Sequence, residues 1–520
     1  MFKYKPENQT SMFNFRNDFF ESLDPTNRWV RLSQAINWDE LASIYRQSMS
    51  TNKGAPGIDA RIIIGAIIIK HKEKLDDRGT IEAIQENPYM QYFLGLDEYT
   101  YKPVFDPSLF VTIRYRLGNE LFDMMNQRII ARALSINQRK TTAQKKSDKD
   151  DTPEAQEETT QKIKEEKTEQ ASESIPANKG KLQLDATVAD AYIKYPTDVG
   201  ILNDSREKSE ELIDQLCEHL KIVKPRIYRR LARKNYLNMT KKKNKTKSMI
   251  RNGVRQQLQY LKRNISYIHK ILDNHKVSMR IWGREGYKYF LVIQEVYRQQ
   301  NQMYKEKTNR IDDRIVSIHQ PHIRPIVRGK LKNKVEFGAK INVSLQDGFA
   351  RINQFNFDSY NEGVYMKAQI EDYYKLNGCY SKLLQTDDIY MTRENRNWLK
   401  EKGIEHTGRP LGRKPKEELS KYKKRKLKKD RAERNQIEGK FGQGKHGYNL
   451  NRILAKKAQT QESWIAAIIF MMNILKLSKD IFGSISILLY NTISQVVKTI
   501  QNKLILKNHR SYQESQINFC

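Results

Sequence analysis

The stretch RAERNQIEGKFGQGKHGYNLNR, residues 431–452, contains two acidic residues among many basic ones. Arg434 lies four residues before Glu438, and Lys445 lies seven residues after it. On a helix these offsets place Arg434, Glu438 and, if the helix runs that far, Lys445 on one face. A carboxylate flanked by cations on its own face suits a site that holds a divalent metal ion beside a phosphodiester. The alternative is an exposed Arg–Glu pair one helical turn apart.

The order of Arg434, Glu438 and Lys445 resembles the signature around the last acidic residue of DDE transposases from bacterial insertion sequences. Those families usually have Tyr three residues before the Arg, where this chain has Arg431. The string RNQIEGKFGQGKHGYNLNRI resembles the large group whose N-terminal domain is InsH-like, and the resemblance spans roughly residues 52–476. It implies that Glu438 is catalytic and that Arg434 and Lys445 contact DNA. The basic residue Arg431 is predicted to contact DNA as well.

A candidate for the first acidic residue follows a short apolar run. KLQLDAT, residues 181–187, is typical of a strand that ends in a carboxylate, Asp185. Asp185 followed by Ala-Thr, with Tyr-Pro-Thr-Asp at 195–198, resembles the first-acid motif of the same group. A turn or cap residue after a strand is the alternative for Asp185.

A candidate for the second acidic residue follows a predicted strand at 380–384. The sequence QTDDIY, residues 385–390, resembles the second-acid motif of the group, which is usually Ala-Asp-Lys-x-Tyr. The resemblance makes Asp387 the second acid and places Asp388 where the family has Lys. A pair of turn acids is the alternative.

Together these elements predict an α/β chain with a ribonuclease H-like catalytic core. Two Mg²⁺ ions, expected ~3.5–4 Å apart, need hard carboxylate oxygens from separate elements to serve an in-line phosphoryl transfer. The resemblance therefore makes Asp185, Asp387 and Glu438 both the catalytic residues and the metal ligands, with Mn²⁺ as a substitute for Mg²⁺. The implied activity is cleavage of DNA at the ends of a mobile element, followed by joining of the freed 3′-hydroxyl to target DNA.

The composition agrees with a nucleic-acid partner. The chain has 520 residues, a formal net charge of +33 and a pI near 9.7, which is typical of a protein that binds a polyanion. Its three cysteines show neither metal-ligand spacing nor the even number of a disulfide framework, and this indicates a reducing compartment. The most apolar run, residues 464–475, is shorter than the ~20 residues that span a bilayer.

These features predict a cytoplasmic, nucleoid-associated bacterial protein with no membrane segment. The resemblance implies double-stranded DNA, both element ends and target, as its partner, and a homodimer or a larger assembly on that DNA.

The chain is predicted to have several domains. Residues 1–137 are predicted to form an all-α, InsH-like domain that is expected to bind DNA. Its apolar run RIIIGAIIIKHKEK could equally form a strand, but the resemblance favours a buried helix. Residues 138–180 are predicted to be a charged, disordered linker, because Ile163 and Ile175 are their only large apolar side chains. The ribonuclease H-like domain is predicted over residues 181–476, with a helical tail at 477–520.

A long basic segment, about residues 203–310, interrupts the predicted catalytic domain between its first two strands. Its apolar residues recur at helical spacing, and the run KKKNK lies between two such helices. Either it clamps the DNA backbone or forms a dimer surface, or it is a solvated helical bundle with no such role.

Two other functions remain open at the level of sequence. One is a ribonuclease H-like nuclease that cuts DNA without joining it. The other is a catalytically silent DNA-binding or repressor protein, which the departures at Arg431 and Asp388 favour and the three acidic residues oppose. A strand-transfer assay separates joining, cutting alone and binding alone.

Overall fold

The computed structural model describes residues 3–4, 22–49, 57–147, 177–327, 335–412 and 420–483. It shows a mixed α/β chain in which a group of helices precedes a six-stranded sheet, and further helices cover that sheet. Most of the predicted linker, residues 148–176, and the predicted tail beyond residue 483 lie outside the described residues.

Seven helices are described before the sheet: α1 (Arg28–Ala35), α2 (Trp38–Arg46), α3 (Ala60–Lys72), α4 (Asp77–Glu86), α5 (Pro88–Phe93), α6 (Leu109–Arg116) and α7 (Asn119–Ser147). The isoleucine-rich run forms the buried helix α3, as predicted, and its isoleucines pack on nearly all sides. The side chain of Asn37 caps α2 by accepting a hydrogen bond from the Glu40 backbone amide. Helix α7 extends to Ser147, into the segment predicted to be a disordered linker.

The sheet has the strands β1 (Lys181–Asp190), β2 (Arg324–Val327), β3 (Val335–Gln346), β4 (Phe349–Asn356), β5 (Leu383–Gln385) and β6 (Glu405–His406). Its order is β2-β3-β1-β5-β6, and β4 also pairs with β3. The neighbours of β3 are antiparallel to it, whereas β1, β5 and β6 run parallel. Asp347 and Gly348 form the β3–β4 turn with φ of 51° and 83°, since a tight hairpin turn of this kind needs positive φ at both central residues.

Helices occupy the connections between the strands. The insertion between β1 and β2 contains α8 (Asp198–Leu220), α9 (Arg229–Thr240), α10 (Lys247–Asn274) and α11 (Gly283–Glu306), which form most of a core of their own. The insertion was predicted over about residues 203–310, and its helices lie within residues 198–306. The remaining helices are α12 (Met366–Asn377), α13 (Arg393–Glu401), α14 (Lys421–Glu433), α15 (Asn435–Gly442) and α16, described over residues 458–483.

Helix α16 contains the most apolar run of the chain and lies at the centre of the largest core. This core combines side chains of α3, α7, β3, β4 and α16, so the N-terminal helices and the sheet share one hydrophobic interior. Within the described ranges no helix has both the length and the apolar character needed to cross a bilayer.

Polar contacts join the same elements. The side chain of Asn473 on α16 donates hydrogen bonds to the Asn126 side chain at 2.9 Å and to the Ala350 carbonyl at 2.6 Å. The Arg351 guanidinium on β4 donates two hydrogen bonds, of 2.6 and 2.7 Å, to the Asp123 carboxylate on α7. The N-terminal helices and the sheet therefore pack against each other. Their predicted division into domains at residues 137 and 181 stays a prediction.

This shared core predicts the outcome of limited proteolysis. The polar composition of residues 148–176 makes them the expected first site of cleavage. The two fragments are expected to stay together, because separating them would expose the apolar faces of α3, α7 and α16 to water. Gel filtration after cleavage should therefore give one peak that contains both fragments. Two separate folded fragments would contradict the shared core.

Candidate active site

One of the predicted acidic residues lies on a strand, and a second lies just beyond the end of its parallel neighbour. Strands β1 and β5 are paired so that Gln183 lies opposite Gln385, and Asp185 and Asp387 each follow two residues later. Asp185 is largely buried. It lies within β1, which continues to Asp190, so the prediction that the strand ends at this acid is wrong. The ladder to β3 extends the strand beyond Asp185, because Asp185 to Asp190 all have partners on β3.

Asp387 lies two residues beyond the end of β5 and is exposed. Its carboxylate accepts a hydrogen bond of 2.8 Å from the Asp388 backbone amide and so caps the short helical turn Asp388–Tyr390. The Asp388 carboxylate turns to Arg409 instead, accepting a hydrogen bond from its backbone amide and pairing with its guanidinium at 3.3 Å. The two adjacent acids therefore have different partners.

Arg434 brings the first and third predicted acids together. It lies at the junction where α14 ends at Glu433 and α15 begins at Asn435. Its guanidinium donates a hydrogen bond of 2.7 Å to the Glu438 carboxylate, and another of its nitrogens lies 3.9 Å from an oxygen of Asp185. Glu438 itself is half exposed.

The carboxylates around Arg434 are the candidate ligands of the predicted metal ions. Among the residues that the structure describes, no three Asp, Glu, His or Cys side chains lie close enough together to hold a metal ion. The types of ligand nevertheless suit Mg²⁺, which prefers carboxylate oxygens. Arg434 lies between Asp185 and Glu438, and its positive charge balances the negative charges of these two carboxylates.

The buried Tyr390 lies in the electrostatic field of the same acids. Burial, together with the negative charges of Glu362, Asp185 and Asp387, raises the pKa of its hydroxyl far above the ordinary value. Within the described part of the chain this hydroxyl has no hydrogen-bond partner.

Two buried glutamines, Gln183 and Gln385, connect the elements that carry the candidate site, and the sequence patterns did not point to them. The Gln183 amide donates to the Gln385 side chain at 2.8 Å and to the Glu433 carbonyl at 2.9 Å. The Gln385 amide donates to the Asp430 carbonyl at 2.7 Å. These bonds fasten the last turn of α14 to β1 and β5. The available signal was the position of each glutamine two residues before an acid, which puts the two side chains on one face of a strand.

The other two predicted DNA contacts lie elsewhere. The exposed Arg431 donates a hydrogen bond of 3.1 Å to the Thr407 carbonyl. Lys445 lies in a helical turn after α15 and is mostly buried, 3.9 Å from both Asp190 and Glu336. Lys445 therefore has other acidic partners than Glu438. Contact of Arg434, Lys445 and Arg431 with DNA stays a prediction.

The second acid of the quoted stretch, Glu433, has a structural partner. The Lys181 ammonium donates a hydrogen bond to its carboxylate, and this bond lowers the pKa of Glu433. Ahead of Glu433, α14 is almost wholly exposed and carries a run of lysines and arginines, residues 421–429. A strongly basic helix thus leads directly to Arg434 and Glu438.

Two family models match this chain, one on each side of the insertion. The first, described as transposase DDE domain, matches residues 384–475, which include Asp387 and Glu438. The second, described as transposase domain (DUF772), matches residues 17–116, which include α1 to α6.

One curated relative comes from Rhizobium meliloti and is described as uncharacterized protein ORF8 in nfe locus. It is 29% identical over 112 residues, or 20% of this chain. The chain covers 52% of that relative, about half of its length. No solved structure matches the chain. Both family models describe transposase domains and agree with the motifs, so they support a DDE transposase of an insertion element.

Proposed function

We propose that the protein cleaves DNA at the ends of its own mobile element and joins the freed 3′-hydroxyl to target DNA. The observation that carries this proposal is the contact of Arg434 with both Asp185 and Glu438, with Asp387 two residues beyond the end of the next parallel strand. The three acids come from separate elements, as a phosphoryl-transfer site needs.

The strand order supports a ribonuclease H-like catalytic core. Three antiparallel strands, β4, β3 and β1, continue into the parallel strands β5 and β6. The first acid then lies on the central strand β1 and the second at the end of its parallel neighbour β5, which is the arrangement that the resemblance implies.

Transposases of the DDE class generally use divalent metal ions, and we propose Mg²⁺ held by Asp185, Asp387 and Glu438. When bound, two such ions would supply Lewis-acid stabilisation of the attacking and leaving oxygens. The Glu438 side chain is half exposed, so it is free to exchange its Arg434 partner for a metal.

The chain's own residues supply the rest of the chemistry. Arg434, once released from carboxylates, carries a planar guanidinium suited to a phosphate oxygen. The exposed lysines and arginines of α14 lie directly ahead of it and would hold the DNA backbone beside the acids. The glutamine pair would keep α14 fixed to the strands during the reaction.

A strand-transfer assay tests the proposal. The full-length protein is mixed with labelled duplexes carrying its element ends, with a target plasmid and with Mg²⁺. We expect cleaved ends and joined products, retained with Mn²⁺ and lost with EDTA; Ca²⁺ should allow binding without turnover. Cleavage without joining would favour the nuclease alternative. Binding without cleavage under all metals would favour a silent DNA-binding protein.

The glutamine pair gives a further prediction. In the Gln385→Leu variant the Asp430 carbonyl and the Gln183 amide each lose a hydrogen-bond partner. The free energy of unfolding is expected to fall by about 1–3 kcal/mol. Because α14 leads into Glu438, we expect a higher Mg²⁺ concentration for half-maximal cleavage, with DNA affinity little changed. Metal titrations of cleavage measure this, and Gln385→Glu, which keeps an acceptor but loses the donor, should share the defect. If both variants need the same Mg²⁺ concentration as the wild-type protein for half-maximal cleavage, the glutamine pair does not position the metal-binding residues.

A further inference from the structure

The helical insertion contains a long segment without any acidic residue. Residues 219–272 include 17 lysines and arginines and no Asp or Glu. The preceding helix α8 is acidic, with seven Asp and Glu against two basic residues. Charge is therefore unevenly distributed within one small bundle.

Only a few of these cations are neutralised by α8. Arg229 pairs with Asp214 at 2.7 Å, Lys224 pairs with Asp214 at 3.1 Å, and Arg233 lies 3.7 Å from Glu207. The other basic residues of the segment form no ion pair with any described carboxylate. A surface of unpaired like charges costs electrostatic free energy unless a polyanion covers it.

The densest part is the lysine loop, residues 241–247, between α9 and α10. Its sequence is KKKNKTK, and all seven residues are exposed. Arginine side chains on the same hairpin stack on tyrosine rings: Arg251 lies 4.0 Å from the Tyr304 ring and Arg263 4.5 Å from the Tyr228 ring. Cations interleaved with aromatic rings are common on nucleic-acid-binding surfaces.

The bundle places the lysine loop beside the end of β1. A side chain at Gly253, early in α10, would contact both Met239 of α9 and Val199 at the start of α8. The start of α8 follows β1 closely, and the Lys194 ammonium between them donates a hydrogen bond of 3.1 Å to the Tyr236 hydroxyl of α9. The loop is thus at the end of the bundle nearest the sheet.

Two further exposed cations lie at this end of β1. The Arg452 guanidinium is 4.7 Å from the Tyr192 ring, and Lys456 lines the same open cavity as Lys194. Five residues of β1 separate Asp185 from Asp190, which corresponds to ~17 Å at the usual rise of a strand. That distance equals about five base pairs of duplex DNA.

We propose that the lysine loop, Lys194, Arg452 and Lys456 form a second, sequence-independent binding surface for the phosphodiester backbone of duplex DNA. The surface holds DNA about five base pairs or more from the phosphodiester at the three acids. This distance rests on the proposed function, whereas binding of the backbone does not. The DNA thus contacts the protein at α14 beside the acids and again at the base of the insertion.

The experiment compares two quadruple variants of the full-length protein. The loop variant carries K241Q, K242Q, K243Q and K245Q. The control carries K221Q, K270Q, K276Q and R284Q, four exposed cations at the far end of the bundle, ~35 Å from the loop as judged by the length of α10. Both variants lose the same charge. Binding of a labelled duplex of arbitrary sequence is measured over a range of KCl concentrations.

We expect the magnitude of the slope of log affinity against log salt concentration to be smaller by ~2–4 in the loop variant. Each phosphate contact that is lost lowers the magnitude of this slope by ~0.9. The control should change the slope by less than ~1. Equal effects of the two variants would overturn the proposal, since only net charge would then matter. Unchanged duplex binding by the loop variant, with loss of binding to single-stranded RNA or to phosphatidylserine vesicles, would overturn it in favour of those partners.

Cleavage is measured in parallel so that the two proposals are separated. A reduced slope in the loop variant supports the surface even if the wild-type protein neither cuts nor joins DNA. An unchanged slope overturns the surface even if the wild-type protein does both. Circular dichroism of both variants confirms that the exposed substitutions leave the fold intact.

Discussion

Replacing Asp185 or Asp387 with Asn, or Glu438 with Gln, is expected to abolish cleavage and joining of element ends while DNA binding survives. Each change keeps the size and shape of the side chain but removes the negative charge that a divalent metal ion needs. The loss should be at least ~10²–10³-fold in rate, the scale seen when one preorganised electrostatic group is removed from an active site. Removing negative charge should not weaken attraction to DNA.

Asp388→Asn is the matched control for these variants. Asp388 is adjacent to Asp387 and equally acidic, but its carboxylate is paired with Arg409. We expect it to retain activity. Cleavage of a labelled element end by each variant is the measurement. An inactive Asp388→Asn with an active Asp387→Asn would shift the assignment by one residue, and cleavage by all three acid variants would reject the proposed function.

A second large effect is expected at Gly338 of β3, where the backbone of β1 leaves no room for a side chain. A Cβ atom at this position would lie 2.0 Å from the Ala189 carbonyl oxygen and 2.9 Å from the Ala191 backbone nitrogen. Because both atoms belong to the backbone, no side-chain rotation relieves the overlap. Gly338→Ala should therefore cost about 3 kcal/mol or more of unfolding free energy, at the upper end for overpacked sites.

Urea denaturation of Gly338→Ala and of Gly118→Ala measures this effect. A Cβ at Gly118 meets no atom within 4 Å, so its substitution should change the stability by no more than ~0.5 kcal/mol. Since Gly338 lies opposite Asp190 on the strand that carries Asp185, loss of cleavage should accompany the loss of stability. Equal stability of the two variants would mean that β1 and β3 do not pack as described.

Local patterns predicted many of the elements. The apolar run at residues 61–74, together with the resemblance, predicted the buried helix α3, and helical spacing predicted the helices of the insertion. The sequence did not reveal that α16 joins the N-terminal helices to the sheet. That contact connects residues more than 300 positions apart, such as Asn126 and Asn473, and no local periodicity encodes it.

The candidate site was predictable only in part. The motifs selected Asp185, Asp387 and Glu438, and the Arg434–Glu438 pair followed from helical spacing. The spacing did not predict the partners of Lys445, because the chain leaves regular α-helical geometry after α15 and Lys445 meets Asp190 and Glu336 instead. The glutamine pair was missed because a hydrogen bond between residues 183 and 385 depends on which strands become neighbours.

The position of α16 late in the chain has a consequence for protein synthesis. A ribosome that has not yet made residues 458–483 has produced the N-terminal helices and all six strands, but not the helix that completes the core shared by α3, α7, β3 and β4. At ~5–20 residues per second, the chain spends many seconds in this incomplete state. A nascent or prematurely terminated chain could then attach to DNA through its exposed cations without holding the acids in place. We expect binding to arise during translation and competence for cleavage only after α16 has emerged.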